Sequence, residues 1–261
     1  MRKRQRQASL PGFELGDYIR ESIGFLRAHE PSEGYFMGFS GGKDSITALE
    51  LCRMAGVKHQ AFYSCTGIDP PEMYAFIRKH YTEVIWMHPK TSFYDYIQIA
   101  SPPMIPFRRW CCNHLKKNPT RHIHLKARIM GIRAEESPRR AARPRCDKYN
   151  RNQILYKPIF YWPEWAVWDF IDERGLPYPS LYDEGAHRIG CVVCPFLFGP
   201  GEAAQRRIAW SQQRWPGIWK AFRHAVFRWF DAKMTHGLRH GQRFKTAEEF
   251  WQAYIRGGRI K

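Results

Sequence analysis

The chain has 261 residues, 44% of them hydrophobic, which is enough for one substantial α/β domain with a helical appendage. Its formal net charge of +18 favours an anionic partner such as nucleic acid, and a generally basic surface is the plainer alternative. No run approaches the ~20 apolar residues of a membrane span, and no apolar signal core follows the basic start, so we expect a cytoplasmic protein.

Helix-like and strand-like segments alternate along most of the chain. Apolar residues at helical spacing predict helices over Leu15 to Ala28, from Ser45, and over Pro71 to His80, Ser92–Ala100, Trp110–Lys117 and Pro163 to Arg174. Apolar, β-prone runs predict strands at Tyr35–Phe39, Gln60–Ser64, Glu83–Met87 and Ala127–Ile132. This alternation predicts a doubly wound, mostly parallel sheet with helices on both faces, a Rossmann-like α/β fold.

The pattern after Cys194 is helical only. Aromatic and apolar residues recur there every three or four positions, which predicts packing against the main domain: Trp215, Trp219, Phe222, Val226 and Trp229 or Phe230. We therefore expect a basic N-terminal segment with a helix over 1–30, a nucleotide-binding α/β domain over 31–198, and a helical C-terminal extension over 199–261.

A glycine turn joins the strand Tyr35–Phe39 to the next helix, with the sequence Ser40-Gly41-Gly42-Lys43-Asp44-Ser45. Glycines at such a turn let backbone N–H groups converge, and the helix N-terminus adds partial positive charge, so the turn favours phosphate. The Walker loop is excluded, because Met37 and Asp44 stand where it needs its first Gly and its Ser or Thr. A plain glycine turn is the alternative.

Two cysteine pairs lie far apart, Cys111-Cys112 and Cys191-Val192-Val193-Cys194. In the cytoplasm clustered cysteines indicate metal or redox chemistry, and four thiolates satisfy zinc or a [4Fe–4S] cluster. Adjacent cysteines are unusual in structural zinc sites, so the pattern favours the cluster, with buried free thiols as the plain alternative. Cys52 is expected in the core, and the arginines around Cys146 favour a lowered pKa there.

Five segments in fixed order carry a family resemblance. Besides the glycine turn and the two cysteine segments, they are Cys65-Thr66-Gly67 to Glu72, and Gly131 to Ser137 with Arg139 and Arg140. Together, over Gly34 to Phe196, they resemble the phosphoadenosine phosphosulfate (PAPS) reductase family of the adenine nucleotide α-hydrolase, or PP-loop, superfamily. The resemblance implies a PP-loop (HUP-type) fold that binds an adenine nucleotide.

The chain departs from the reductases in two places that bear on activity. Cys65 stands where the family has Asp before Thr-Gly, and no cysteine follows Cys194, whereas the reductases use a nucleophilic cysteine near their C-terminus. Since a thiolate must attack the sulfonate sulfur, that reduction is not available unless Cys65 or Cys146 takes over. The chain is also similar to a second branch that transfers sulfur to nucleic acid, the DNA phosphorothioation sulfurtransferases and tRNA thiolases, and to reductase-family proteins of phages and mobile elements.

The resemblance therefore implies an ATP-dependent adenylyl or sulfur transferase that converts ATP to AMP and pyrophosphate and acts on DNA or RNA. A cysteine desulfurase or another sulfur donor is an expected partner. One alternative is a PAPS or adenosine phosphosulfate reductase. Another is a non-catalytic nucleic-acid-binding partner of a modification complex.

The same resemblance implies roles for particular residues. Lys43, Asp44 and Arg133 are the expected catalytic residues: Lys43 offsets phosphate charge, Asp44 helps to hold Mg²⁺, and Arg133 contacts phosphate. The expected nucleotide-binding set is Ser40, Gly41, Gly42, Lys43, Asp44, Ser45, Thr66, Gly67, Gly131, Arg133, Glu136 and Arg139, with Arg140 as an alternative to Arg139 and Glu136 orienting the arginines. Surface ion pairs are the plain alternative for these arginines. The expected metal ligands are Cys111, Cys112, Cys191 and Cys194.

Overall fold

The structure is a computed structural model that describes residues 13–100, 104–106, 108–235 and 244–258. The chain divides into two compact units, each built from segments distant in sequence. The first, here the sheet unit, comprises Met1–Ser64, Pro71–Met87 and His122–Ile189, and the second, here the cysteine unit, comprises Cys65–Pro70, His88–Arg121 and Gly190–Lys261. The basic start of the chain lies outside the described residues.

A six-stranded sheet in the order β3-β2-β1-β4-β6-β5 forms the centre of the sheet unit. Its strands are β1 Tyr35–Phe39, β2 His59–Ser64, β3 Ile85–Met87, β4 Ala127–Met130, β5 Cys146–Asn150 and β6 Gln153–Tyr156. All neighbouring strands are parallel except the pair β5 and β6. The predicted mostly parallel α/β fold is therefore confirmed, and the sequence patterns did not predict the β5–β6 hairpin.

Helices α1 Leu15–Ala28, α2 Lys43–Ala55, α3 Pro71–His80, α6 Pro138–Ala141 and α7 Glu164–Glu173 belong to the sheet unit. The predicted bounds of the first helix and of the third are those observed. Tyr35, Phe36 and Met37 of β1 are buried, as expected of a strand with parallel neighbours on both sides. The central position of β1 fixes the turn at its carboxyl end between neighbouring strand ends.

The cysteine unit contains α4 Phe93–Ile99, α5 Trp110–Cys112, α8 Glu202–Arg214, α9 Pro216–Thr235 and α10 Ala247–Ile255. The predicted helix over Trp110–Lys117 is divided, because α5 runs into a π-helical turn at Asn113–Lys117. The predicted apolar stripe of α9 is buried against α4 and α10, around Trp219, Phe222 and Val226. Among the described residues no helix has both the length and the apolar character needed to cross a membrane.

Candidate nucleotide site and cysteine group

The turn between β1 and α2 is fixed by its own hydrogen bonds. The Ser45 hydroxyl donates to the Gly42 carbonyl oxygen at 2.8 Å, and the Ser40 N–H donates to Ser45 Oγ at 3.2 Å. Gly41 has a φ of +73°, and a Cβ there would lie 2.6 Å from Cε of Met73, so this position requires glycine. The turn thus presents the first N–H groups of a 13-residue helix in a fixed arrangement, as anion sites do.

The end of β4 comes very close to the first turn of α2. A Cβ on Gly131 would lie 2.3 Å from the carbonyl oxygen of Asp44 and 2.9 Å from the nitrogen of Ser45. Real Cβ atoms do not approach other atoms this closely, so glycine here allows the strand end to lie against the helix N-terminus. The predicted nucleotide contact of Gly131 stays a prediction, and the structure gives this glycine a packing role.

Two buried cations lie among three carboxylates beside the turn. Lys43 is 3% exposed, and its Nζ lies 3.4 Å from Asp44 Oδ2 and 3.3 Å from Glu164 Oε1. Arg133 is 4% exposed; its Nε lies 2.6 Å from Asp44 Oδ1, and its Nη1 pairs with Glu135. Burial alone would lower the pKa of Arg133, but Asp44 and Glu135 outweigh burial and raise it. The three expected catalytic residues therefore form one ion-pair network.

That network also bears on the predicted Mg²⁺ ligand. Both oxygens of the Asp44 carboxylate face a cation, Arg133 on one side and Lys43 on the other. A magnesium ion bound there would replace or share these partners, and the phosphates that arrive with it are the anions that Lys43 and Arg133 would then contact. Magnesium binding by Asp44 stays a prediction.

Tyr182 is a site residue that the sequence patterns did not identify. Its hydroxyl oxygen accepts a hydrogen bond at 3.0 Å from the Lys43 N–H, the first N–H of α2. Its ring meets Trp168 edge-on at 5.1 Å, and the Lys43 Nζ lies 5.6 Å from the ring centroid. Burial raises the pKa of Tyr182, so the phenol keeps its proton and can donate it. The sequence signal for Tyr182 was its position a few residues before the motif Gly190-Cys191.

The basic segment after β4 begins with an acid–base pair. Glu136 Oε2 accepts from the Arg133 N–H at 3.0 Å and pairs with Arg140, while Arg139 is exposed on the short helix α6. Glu136 therefore contacts two of the arginines that it was expected to orient.

Thr66 and Gly67, by contrast, belong to the cysteine unit, where Thr66 is buried with its Oγ1 3.9 Å from Cys191 Sγ.

All four predicted metal-ligand cysteines belong to the cysteine unit. The hydrogen bond with Cys111 lowers the pKa of Cys112 to about 6, helped by Lys116 and other nearby cations, and raises that of Cys111. Cys111 also experiences the charges of Cys191 and Cys194, so the two distant pairs approach one another in the fold. Burial raises the pKa of Cys191 to about 12, against the opposing effect of Lys116.

The donor chemistry of these four thiols fits zinc or an iron–sulfur cluster. Within residues 13–100, 104–106, 108–235 and 244–258, however, no three Cys, His, Asp or Glu side chains are grouped closely enough to hold one metal ion. A single zinc ion bound by these thiols would require them to draw closer together. The metal assignment therefore stays a prediction that rests on the donor set.

Comparison with known families decides where this fold belongs. Residues 34–196 match the family model described as the phosphoadenosine phosphosulfate reductase domain, nearly the span over which the five motifs occur. The chain belongs to the PAPS reductase domain family. The family match includes the turn at Ser40–Ser45, Tyr182 and all four cysteines of the two pairs.

The sequence identity to individual relatives is low. An uncharacterized protein of Methanocaldococcus jannaschii is 27% identical over 223 residues, which are 80% of this chain but 46% of that protein, so the chain spans about half the length of this relative. The adenosine 5'-phosphosulfate reductase of Allochromatium vinosum is 28% identical over 174 residues, 62% of this chain and 68% of the reductase. The crystal structure of a PAPS reductase from Candida auris, a phosphate complex, has a TM-score of 0.52 at 18% identity, covering 71% of this chain and 98% of that one. This last likeness shows the fold alone.

Proposed function

We propose that this protein binds ATP at the turn Ser40–Ser45, releases pyrophosphate, and uses the activated intermediate to transfer an adenylyl group or sulfur to nucleic acid. The observation that carries the proposal is the fixed N-terminus of α2, with Lys43 and Arg133 buried beside it. Such a site suits the β and γ phosphates of a nucleoside triphosphate, because backbone N–H groups and buried cations both favour anions.

In the proposed first step, an oxygen of the substrate attacks the α-phosphorus of ATP. The bond from that phosphorus to the bridging oxygen breaks, and pyrophosphate leaves with the electron pair of that bond. The N–H groups of Gly41 and Gly42, the hydroxyls of Ser40 and Ser45, and Lys43 would hold the leaving pyrophosphate. Arg133 would contact the α-phosphate, where charge develops in the transition state.

In the proposed second step, the outer sulfur of a donor persulfide attacks the adenylated carbon atom and displaces AMP, so that a carbon–sulfur bond forms and the carbon–oxygen bond breaks. A second thiol of the donor then attacks the donor's cysteine sulfur, which breaks the sulfur–sulfur bond, leaves the sulfur on the substrate and oxidises the two donor thiols to a disulfide. A [4Fe–4S] cluster held by Cys111, Cys112, Cys191 and Cys194 would, when bound, supply a place to relay sulfur or to hold the substrate. A zinc ion at the same thiols would instead have a structural role.

Nucleic acid is the proposed substrate because of charge. The net charge of +18 exceeds what a small nucleotide substrate requires. In the sheet unit, Arg139, Lys148 and Arg151 are exposed along the segment from α6 to the turn after β5. Lysine and arginine contacts to phosphate supply most of the non-specific affinity of nucleic-acid-binding proteins.

The second candidate is reduction of a phosphosulfate, which the name of the relative in Allochromatium vinosum favours. That reaction needs a reactive thiolate. Burial raises the pKa of Cys52 to about 12, and burial also raises the pKa of Cys146 despite nearby Arg145, which corrects the lowered pKa expected there. Neither Cys52 nor Cys146 therefore has the character of a nucleophile, and a nucleophilic role for Cys65, the other cysteine expected to be able to take over, stays a prediction. A non-catalytic nucleic-acid-binding role is the third candidate.

The proposal is tested with anaerobically purified protein, ATP and Mg²⁺, with and without single-stranded and duplex DNA and RNA. We expect pyrophosphate release, its loss in Lys43→Gln, and its retention in Lys79→Gln, which alters an exposed lysine of α3 in the same unit. Absence of pyrophosphate under every condition would contradict the proposal. Thioredoxin-dependent sulfite release from adenosine phosphosulfate would support the reductase instead.

A further inference from the structure

Helix α8 presents a basic and aromatic face that the proposed ATP chemistry does not use. Its residues Ile208 and Ser211 are buried in the cysteine unit. Arg206, Arg207, Trp210 and Arg214 are all exposed, and at 3.6 residues per turn they fall within an arc of about 100°, whose centre lies about 120° around the helix from the buried pair. We call these four residues the arginine–tryptophan face.

Trp210 is unusually exposed for a tryptophan. It is 43% exposed, although tryptophan is among the side chains that gain most from burial. Its ring meets that of Trp215 at 5.2 Å with an angle of 88° between the planes, so Trp215 covers at most one flat side of Trp210. Trp215 in turn packs against the buried core of the cysteine unit, which holds the pair in place.

The charges around Trp210 are mostly positive. Arg206 pairs with Glu202, but an ion pair between two exposed side chains contributes little and is readily exchanged for another anion. Arg207 and Arg214 flank Trp210 at three and four residues, one helical turn to each side. Together they span about 10 Å along the helix axis, a length over which one strand of nucleic acid offers more than one phosphate.

We infer that the arginine–tryptophan face binds single-stranded nucleic acid, with a base stacked on Trp210 and phosphates contacted by Arg207 and Arg214. An aromatic ring between cations is the combination that such strands require, since every base has a flat face and every linkage a negative charge. A paired base inside a duplex cannot stack on a side chain, so the strand must be single or locally opened. This inference rests on the proposed function and adds to it the surface that holds the substrate.

The test measures binding by fluorescence anisotropy, without ATP, with fluorescein-labelled dT20, rU20 and a 20-base-pair DNA duplex as probes. Trp210→Ala should weaken binding of the single strands roughly 5- to 150-fold, the range measured for loss of one stacked base, and Trp210→Phe should restore most of it. Arg207→Ala and Arg214→Ala should each reduce the slope of log affinity against log salt by about 0.7.

Two matched controls come from the sheet unit. Tyr161→Ala removes an aromatic side chain that is 63% exposed, and Arg20→Ala removes an exposed arginine that also pairs with an acidic neighbour. Both should leave the affinity for the single strands within about twofold, because surface changes away from a site have small effects. Melting temperatures of all variants identify any that fail to fold.

The outcomes separate this inference from the proposed function. If the unaltered protein binds the strands and Trp210→Ala binds equally well, the inference is overturned and the proposed function stands. Stronger binding of the duplex than of either strand overturns it too, as does self-association of the unaltered protein that Trp210→Ala abolishes without changing strand affinity. If ATP cleavage fails while strand binding depends on Trp210, the proposed function falls and this inference survives.

Discussion

Gly131→Ala offers the sharpest test of how the nucleotide site is built. The added Cβ would lie 2.3 Å from the Asp44 carbonyl oxygen, whereas carbon–oxygen contacts are ordinarily about 3.3 Å or longer. The end of β4 and the first turn of α2 must therefore separate by about 1 Å, and both are backbone, which cannot rotate away as a side chain can. Overpacking of this kind costs about 1–3 kcal/mol of unfolding free energy.

The same displacement moves the N–H groups proposed to hold phosphate. A misplacement of about 1 Å in a catalytic site costs roughly 100-fold in rate, so pyrophosphate release should fall by about that factor in Gly131→Ala. Urea unfolding measures the stability, and a coupled phosphatase assay measures the pyrophosphate.

Gly24→Ala is the matched control, because it makes the same chemical change at an exposed position of α1 with no atom within 4 Å of the new Cβ. Alanine is favoured over glycine inside a helix by about 0.5–1 kcal/mol, so this variant should gain stability and keep its activity. If Gly131→Ala unfolds at the same urea concentration as the unaltered protein and releases pyrophosphate at the same rate, the close approach of β4 to α2 is refuted.

Three further predictions concern the two sites. Asp44→Asn should lower the free energy of unfolding by about 1.5–3 kcal/mol, because the buried Arg133 loses a charged hydrogen-bond partner; an unchanged urea midpoint would contradict this. Tyr182→Phe should weaken ATP binding by about 2- to 13-fold, the equivalent of one hydrogen bond, and lower the free energy of unfolding by about 1–3 kcal/mol, because the buried Lys43 N–H loses its acceptor; equal affinity by calorimetry would show that the hydroxyl does not reach the nucleotide. Anaerobically purified protein should contain about four iron atoms and four labile sulfides per chain and lose them in Cys112→Ser; stoichiometric zinc in a colourless protein would exclude the cluster.

Local patterns allowed much of this fold to be predicted. The run Tyr35–Phe39 and the glycines after it specify a buried strand and a turn within a few residues, so both emerged from the sequence. The β5–β6 hairpin was missed because Cys146–Asn150 lies among arginines and lacks the apolar alternation of a strand. Leu155 pairs with Asp147 across that hairpin and with Arg128 of β4 on its other side, and sequence periodicity does not report such contacts between strands.

The unpredicted parts of the site depend on contacts between distant residues. The Tyr182 hydroxyl accepts a hydrogen bond from the Lys43 N–H, which is 139 positions away in the sequence, and no local spacing indicates that the chain returns there. Gly131 was grouped with nucleotide-binding residues because of its motif, while its close approach to Asp44 became visible only in three dimensions. In the same way, the charge of Lys43 was evident, but its burial between Asp44 and Glu164 was not.

The central claim is that ATP is cleaved between its α and β phosphates at the turn Ser40–Ser45, and two ATP analogues test it most directly. The β,γ-imido analogue keeps the α–β bond cleavable, and the α,β-methylene analogue blocks it. In the presence of the nucleic acid that supports turnover, we predict imidodiphosphate from the first analogue, no product from the second, and neither reaction in Lys43→Gln. Formation of ADP from ATP, or cleavage of the α,β-methylene analogue to release phosphate, would contradict the account.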